Sequence, residues 1–185
     1  MIIGESVTLL PFDQKFAPLT LDWINKADVR DGTGTEGPVS DLEHQRWYER
    51  TVGDPTQRVF IIGEGVGRDA AAIGVIGLRN INMRYRSAQY WIYIGREECR
   101  GKRLAFQATV LLLGFGFNTL GLNRIWLQVK STNSRAVRLY EQLGFVREGT
   151  GRQEIFIDGH FEDMLHYSIL ESEYRTRYSR PQSLT

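Results

Sequence analysis

The sequence predicts a single α/β or α+β domain built around a mixed β-sheet. Its 185 residues fit one domain with a sizeable hydrophobic core. Hydrophobic residues make up 42% of the chain and charged residues 24%, which is typical of a soluble globular protein. In the second half, short β-forming segments alternate with segments of helical periodicity, a pattern typical of a sheet covered by helices.

The predicted elements follow the order β-α-α-β-β-β-α-β-α-β-β. Glycine and proline bound the strands, and apolar residues recur at helical spacing in the helices. The predicted strands are Val7–Leu10, Arg58–Ile62, Ala71–Leu78, Ser87–Ile94, Arg124–Val129, Phe145–Phe156 and His160–Leu170. The predicted helices are Phe16–Asn25, Ser40–Val52, Leu104–Leu120 and Ser134–Leu143. Ser87–Ile94 is apolar on both faces, which indicates a central strand.

Local signals support several of these boundaries. Ser40 and Glu43 have the spacing of a capping box at the N-terminus of a helix. Asn133 is a candidate N-cap, and Gly144 is a favourable residue just past the end of a helix. Asp158-Gly159 predicts a tight hairpin turn. The stretch 31–38 is rich in Gly and Pro and predicts a loop.

Charge, cysteine content and termini narrow the class of protein. The formal net charge is +1, so no overall basic field favours nucleic acid. A single Cys excludes an intramolecular disulfide and fits a reducing compartment. No apolar run approaches the roughly 20 residues of a membrane span, and the N-terminus lacks the basic region of a signal peptide. We expect a cytoplasmic monomer or homo-oligomer without nucleic-acid or membrane partners, with one domain over residues 1–173 and a flexible tail over 174–185.

A basic loop between the predicted central strand and the long helix is the most informative segment. From Arg79 to Arg103, seven cations oppose only two carboxylates. A helix N-terminus presents unpaired N–H groups and partial positive charge, so the loop 96–105 is a candidate phosphate site. The alternative is a basic loop that is merely solvated.

Three motifs resemble the GNAT family of N-acetyltransferases. Arg100-Gly101-Lys102-Arg103-Leu104-Ala105 resembles the family's pyrophosphate loop, Gln/Arg-x-x-Gly-x-Gly/Ala, and Asn133–Phe145 resembles its second conserved block. Phe156–Asp163, followed by Tyr167, resembles the C-terminal hairpin of the branch that acetylates ribosomal-protein alanine, spermidine or amino sugars. The resemblance covers roughly residues 5–172. It implies a GNAT fold, in which about four helices flank a twisted, mixed and mostly antiparallel sheet.

The resemblance implies acetyl-CoA as acyl donor and no metal. The main chain of the loop would hold the pyrophosphate, and Arg96, Arg100 and Arg103 would add charge. Asn133 would contact the pantetheine arm or the pyrophosphate, with a plain helix N-cap as the alternative. An amide at a strand bulge near Tyr93 and Ile94 would stabilise the oxyanion. The implied donor-binding residues are Tyr93, Ile94, Arg96, Arg100, Gly101, Lys102, Arg103, Leu104, Ala105, Asn133 and Arg135. Arg103 departs from the pattern, which has Gly there. We expect a helical φ at Arg103 and an outward, charge-assisted contact; the alternative is obstruction of the pyrophosphate.

Acyl transfer to an amine needs a proton source for the departing thiolate. The resemblance assigns that role to Tyr140, which would act as general acid in a direct attack by the amine. The alternative is a tyrosine that only faces the core of an amphipathic helix. Cys99 has no neighbouring His or Asn in the sequence, so we expect a passive thiol and no covalent acyl-enzyme.

The sequence leaves the general base and the acceptor open. Many relatives carry Glu near the position of Gln89, and an amide cannot take a proton. The candidates for the base are Glu36, His44, Glu154, Asp158, His160 and ordered water. Glu36, His44 and Gln89 are the predicted acceptor-binding residues; the alternative for His44 is a solvent-facing helix position.

We expect a small amine, either an amino sugar or a polyamine, ahead of a protein N-terminus as the acceptor. His44 and Trp47 resemble a feature of acetyltransferases that act on nucleotide-linked amino sugars. Two rival functions remain open: an acyl-CoA-binding module without catalysis and a nucleotide-binding regulator. His160 and His166 lie on one face of a predicted strand, but no further His or Cys completes a metal-binding spacing.

Overall fold

The fold is described from a computed structural model, in which residues 1–157 and 159–178 are placed. Eight strands form one sheet in the order β1-β2-β3-β4-β5-β6-β8-β7. The strands are β1 (Ile2–Ile3), β2 (Val7–Pro11), β3 (Arg58–Glu64), β4 (Ala71–Asn82), β5 (Ser87–Ile94), β6 (Arg124–Lys130), β7 (Val146–Ile157) and β8 (His160–Leu170). The helices are α1 (Ala17–Ile24), α2 (Ala27–Thr33), α3 (Asp41–Gly53), α4 (Leu104–Gly114), α5 (Ser134–Leu143) and α6 (Glu171–Tyr178).

Most predicted elements are confirmed, several of them to the residue. β5, β8 and α5 have the predicted bounds. The capping box is present, because the Glu43 amide donates to the Ser40 hydroxyl and the Ser40 amide donates to the Glu43 carboxylate. Gly144 follows α5 with a φ of 91°, a conformation that glycine adopts at little cost. Asp158, half of the predicted hairpin turn, lies outside the described residues.

Two helices were not predicted, and one of them corrects the predicted tail. Helix α2 begins at Ala27 and runs into the stretch predicted as a loop. Helix α6 extends to Tyr178, so the packed chain continues past residue 173. Tyr174 is buried, and its ring lies 5.1 Å from that of Phe117. The predicted long helix after the basic loop ends as α-helix at Gly114 and continues as a π-helical segment over Phe115–Thr119.

The sheet opens at its centre. Every neighbouring pair of strands is antiparallel except β5 and β6, which run parallel and pair at only three positions, ending with Gln89 opposite Trp126. Beyond that pair, Tyr90–Ile94 of β5 and Leu127–Lys130 of β6 have no ladder between them. We call the opening between these two segments the split.

Helices cover the sheet on both faces, and β5 contributes to both layers. Tyr90, Ile92 and Ile94 pack in the larger core with α4 and α5. Trp91 and Tyr93 pack in a second core with α1 and α3. Apolar residues on both faces of β5 therefore confirm the predicted central strand. Within the described part of the chain, no helix has the length and apolar character needed to cross a membrane.

Candidate active site

Main-chain groups of β5 face the split. The Gly95 amide donates to the Ile73 carbonyl of β4 at 2.9 Å. Because hydrogen-bonded positions alternate along an antiparallel ladder, the Tyr93 amide also points to β4, whereas the amides of Ile92 and Ile94 point into the split. Of the two predicted donors, Ile94 therefore has the required direction and Tyr93 does not.

The end of β5 has the hydrogen bonding of a β-bulge next to the predicted position. The amides of Gly95 and Arg96 both donate to the Ile73 carbonyl of β4, at 2.9 and 3.1 Å, so two residues oppose one. From Gly74 opposite Ile94 to Arg79 opposite Gln89, the β4–β5 register runs without interruption. The irregularity therefore lies one residue beyond Ile94, and the role of Tyr93 and Ile94 at the oxyanion stays a prediction.

Six consecutive amides, those of Gly101–Phe106, donate to no acceptor among the described residues. The last three open α4, where the first turn of a helix leaves its amides unpaired. The chain reaches them through Gly101 and Arg103, whose φ angles are 80° and 62°. Such positive-φ backbone turns successive N–H groups toward one concavity, which favours an anion. We call Gly101–Phe106 the anion loop.

Arg103 does not have the helical φ that was predicted. It occupies the left-handed region as the N-terminal flanking residue of α4, at the position where the family pattern has Gly. A non-glycine residue there costs about 1–2 kcal/mol. Its side chain is exposed, and the guanidinium lies 4.9 Å from the centre of the Phe106 ring.

Arg100 braces the split from the side of β5. Its guanidinium donates to the Ile94 carbonyl at 3.0 Å and forms an ion pair with Asp28 of α2. Burial raises the pKa of Asp28, but the hydrogen bond and charge of Arg100 outweigh that effect, and the pKa lies below its ordinary value. The Arg100 guanidinium therefore has protein partners. Lys102 and Arg103 are exposed, with the Lys102 ammonium 4.0 Å from a carboxylate oxygen of Glu64.

Lys130 provides the corresponding brace on the side of β6. Its ammonium is buried between Asp31 of α2 and Glu162 of β8, with the Glu162 oxygen 3.6 Å away. Burial lowers the pKa of Lys130, but these two carboxylates outweigh burial and raise it overall. Thr132 donates to Glu162 at 2.7 Å. Helix α2 is thus tied to both sides of the split.

Tyr140 lies on the α5 side of the split. It is 8% exposed, and its ring lies 5.9 Å from both Tyr90 and Phe145. Burial raises the pKa of Tyr140, so its phenol stays protonated at neutral pH. Asn133 caps α5 as predicted, since its side-chain oxygen accepts from the Ala136 amide at 3.1 Å. Tyr140 is therefore a core residue that also contacts Tyr90 at the start of the split, and its role as general acid stays a prediction.

His44 has a structural position rather than an exposed one. It is 5% exposed, and its Nε2 lies 3.1 Å from the Thr20 hydroxyl of α1. That hydroxyl donates to the carbonyls of Phe16 and Ala17, so Nε2 of His44 donates to it. Burial lowers the pKa of His44, which keeps the ring neutral. The solvent-facing alternative is wrong, because α3 turns this polar residue toward α1.

The other predicted acceptor residues lie away from one another. Gln89 is buried at the paired end of β5, where its carbonyl accepts from Arg79 and Asn80 at 3.0 Å each. Glu36 is exposed in the loop between α2 and α3. Gln89 therefore holds the β4–β5 turn region, and its position gives no support to a role in acceptor binding.

A histidine–carboxylate pair was not predicted as a unit. Nε2 of His166 lies 2.6 Å from one oxygen of Glu154, and Gln128 donates to the other oxygen at 2.6 Å. These residues come from β8, β7 and β6. Glu154 was a candidate base, but its pairing with His166 depends on an irregular strand register that no sequence motif marks. Over residues 1–157 and 159–178, no three His, Cys, Asp or Glu side chains are grouped to hold a metal ion.

The split sheet, the anion loop and the buried tyrosine at the opening define an acyltransferase of the GNAT class. A family model described as an acetyltransferase (GNAT) domain matches residues 6–146. The chain therefore belongs to the GNAT acetyltransferase family, and it is an N-acetyltransferase with the predicted GNAT fold.

The chain is similar in sequence to several bacterial N-acetyltransferases. The spermidine N(1)-acetyltransferase of Vibrio cholerae is 35% identical over 135 residues, 73% of this chain and 76% of that protein. The Escherichia coli K12 spermidine N(1)-acetyltransferase is 29% identical over 178 residues, 96% of this chain and 93% of that protein. A putative ribosomal N-acetyltransferase of Bacillus subtilis is 30% identical over 115 residues, 61% of each chain.

Solved structures agree with the sequence relatives. The Vibrio cholerae spermidine N-acetyltransferase in complex with CoA and spermine superposes with a TM-score of 0.85 at 30% identity, covering 92% of this chain and 99% of that one. A dodecameric structure of the same enzyme superposes with a TM-score of 0.78 at 28% identity, covering 95% of this chain and 99% of that one.

Proposed function

We propose that this enzyme transfers the acetyl group of acetyl-CoA to a primary amine of a small polycation of the polyamine class. The observation that carries the proposal is the run of six amides without an acceptor among the described residues, on the loop that follows β5, the strand that borders the split where Tyr140 contacts Tyr90. The relatives that act on spermidine supply the acceptor class.

The anion loop fits the diphosphate of CoA. Six N–H groups that have no acceptor among the described residues are available to an anion, and phosphate oxygens suit the N-terminus of a helix. Lys102 and Arg103 add exposed positive charge, while Arg96 and Arg135 lie half-buried and exposed, respectively. In this proposal, the amides of Ile92 and Ile94 pair with the pantetheine arm or with the developing oxyanion.

Tyr140 acts as the general acid in this proposal. When bound, acetyl-CoA supplies a thioester whose carbonyl carbon is attacked and whose sulfur departs. The buried phenol keeps its proton at neutral pH and donates it to that sulfur. Cys99 takes no part, because its thiol is buried, donates to Glu64 at 3.4 Å, and has a pKa raised by burial and by that carboxylate.

Acidic groups near the split support a cationic acceptor. Asp28 and Asp31 of α2 neutralise Arg100 and Lys130, yet their side chains remain 50% and 61% exposed. Glu36 follows on the exposed loop. A polyamine can meet such half-exposed carboxylates with its secondary ammonium groups.

A panel of acceptors tests the proposal through release of free CoA thiol. The panel contains spermidine, a nucleotide-linked amino sugar and a peptide that begins with Ala or Ser. We expect the highest kcat/KM with spermidine. A peptide preference would support the second candidate, a protein N-terminal acetyltransferase, which the Bacillus subtilis relative favours.

Binding measurements beside the same panel distinguish the two candidate functions that lack catalysis. Binding of CoA without acetylation of any amine, even at high pH, would indicate a binding module. Equal competition by ATP and CoA would indicate a nucleotide-binding regulator. We also propose a homo-oligomer, because the Vibrio cholerae relative was solved as a dodecamer; light scattering of the purified protein tests this.

A further inference from the structure

The pair formed by His166 and Glu154 lies one strand beyond the β6 edge of the split, on the sheet face opposite Tyr140. Gln128 and His166 are direct partners in the β6–β8 ladder, so their side chains leave the same face. Gln89 and Trp126 are partners in the parallel ladder. Because side chains alternate along a strand, Gln128 shares the face of Trp126 and Gln89, whereas Tyr90 and Tyr140 occupy the other face.

The pair is also level with the start of the split. Gln128 is the second residue after Trp126, the last residue of β6 that pairs with β5, and therefore borders the opening. His166 lies one strand spacing further, about 4.8 Å. On the opposite face, Tyr140 contacts Tyr90, the first unpaired residue of β5. Tyr140 therefore lies at the opening on one face, and His166 lies one strand behind its β6 edge on the other face, with Gln128 between His166 and the opening.

The backbone of β7 is shaped to hold the Glu154 carboxylate on His166. The β7–β8 register is interrupted between Gly151 and Ile155, and Gln153 has a φ of 50°. This bulge folds Glu154 back over Gly151. A Cβ at Gly151 would lie 1.6 Å from Oε2 of Glu154 and 3.0 Å from Nε2 of His166. The carboxylate therefore occupies space that only glycine leaves free.

We propose that His166 accepts the proton of the acceptor ammonium and that Glu154 positions its ring. A carboxylate only accepts hydrogen bonds, so Nε2 carries the proton toward Glu154 and the lone pair lies on Nδ1. Gln128 fixes the second carboxylate oxygen. The charge of Glu154 stabilises the imidazolium that forms, as a carboxylate does for a catalytic histidine in hydrolases. This inference rests on the proposed function.

The other charged groups near the imidazole form pairs of their own. Glu148 of β7 accepts from Ser168 at 2.8 Å and pairs with Arg124 of β6. Lys130, two residues after Gln128 on β6, is paired with Asp31 and Glu162. Glu154 is therefore the carboxylate that the ring contacts directly.

Each face of the sheet carries one proton transfer, from the acceptor ammonium to His166 and from Tyr140 to the leaving sulfur. The acceptor ammonium loses one proton to Nδ1 of His166, directly or through one water, and that proton leaves to solvent. The neutral nitrogen forms the new C–N bond while the C–S bond breaks, and the phenol proton of Tyr140 goes to the sulfur. The second proton lost by the nitrogen restores Tyr140. The sum is amide, thiol and one released proton.

Three variants test the inference by their pH profiles of kcat/KM with spermidine. H166Q removes the base, and we expect a loss of about 100-fold near neutral pH. The loss should shrink toward pH 10, where the amine is already neutral, about as a free alkylamine titrates. G151A displaces the carboxylate from His166, with an expected loss of about tenfold. G149A is the matched control, because a Cβ there meets nothing within 4 Å, and it should retain the wild-type profile.

Chemical rescue separates a base from a structural residue. Added imidazole should restore part of the activity of H166A, while its acetyl-CoA affinity and melting temperature stay at wild-type values. A wild-type profile in both H166Q and G151A would overturn the inference and leave the proposed function intact. A wild-type enzyme that acetylates none of the amines would overturn the proposed function, and this inference with it.

Discussion

Substitutions at Arg103 separate the effect of its backbone conformation from the effect of its side chain. The residue adopts a left-handed conformation in which a non-glycine residue costs about 1–2 kcal/mol. Glycine at this position removes that cost. It also lowers the free energy of unfolding by about 0.5–1 kcal/mol, because a chain with glycine is more flexible when unfolded. Alanine keeps the cost. Both substitutions remove the contact with Phe106, so its loss cancels when the two variants are compared.

From the midpoints of the two ranges, the expected difference is about 0.75 kcal/mol in favour of R103G over R103A. For a domain of this size, 1 kcal/mol shifts the melting temperature by about 2–4 °C. Thermal unfolding of the ligand-free proteins should place R103G about 1–4 °C above R103A. Melting of R103A at or above the temperature of R103G would show that Arg103 does not adopt the left-handed conformation.

Affinity for CoA reports on the Arg103 side chain. If its charge contacts a phosphate, R103G and R103A should both bind CoA up to about fivefold more weakly than wild type, as expected for an exposed charge pair. R103K keeps the charge and should lose less. Calorimetry at low and high salt measures these differences, which should shrink as salt rises. Tighter binding by R103G than by wild type would show that the arginine obstructs the site.

Four further substitutions test three other parts of the structure. Y140F should lower kcat at least about tenfold with unchanged affinity for acetyl-CoA; near-normal turnover would remove the phenol from the mechanism. The pKa of His44 is lowered from 6.5 in the folded state, so below about pH 6.5 the unfolded chain binds the proton first and the native state loses stability. In H44Q, the free energy of unfolding measured with urea should fall less as the pH drops. An unchanged pH dependence would contradict this account. G95A would place a Cβ 2.1 Å from the Trp23 ring and should cost about 1–3 kcal/mol, whereas G32A meets nothing within 4 Å and should gain up to about 1 kcal/mol. Equal denaturation midpoints for the two alanine variants would refute the packing argument.

Local patterns explain how much of the fold could be predicted. The apolar run of β5 and the helical stripe of α5 are read within a few residues, and both elements have the predicted bounds. Helix α2 could not be predicted in this way, because it is short and contains Gly32. Its ion pairs with Arg100 and Lys130 come from distant parts of the chain.

The site was predictable where function depends on a contiguous motif. The anion loop and α5 each lie within one stretch of sequence; the loop follows β5, and α5 brings Tyr140 against Tyr90 at the start of the split. His44 was misjudged because its partner, Thr20, belongs to another helix. The contact of Glu154 with His166 depends on a bulge in β7, and the left-handed φ of Arg103 depends on the turn that enters α4. Neither conformation has a residue-type signature.

The split also bears on solubility. Unpaired strand edges usually lie at the rim of a sheet, where they recruit other chains and begin aggregation. In this protein two such edges, Tyr90–Ile94 and Leu127–Lys130, face one another in the middle of the molecule, with ion pairs of α2 anchored at both. A narrow, extended ligand can enter the split and form hydrogen bonds with these main-chain groups. Another protein chain can pair only with the outermost strands of the sheet. The unpaired backbone groups therefore lie where a second copy of the protein cannot pair with them.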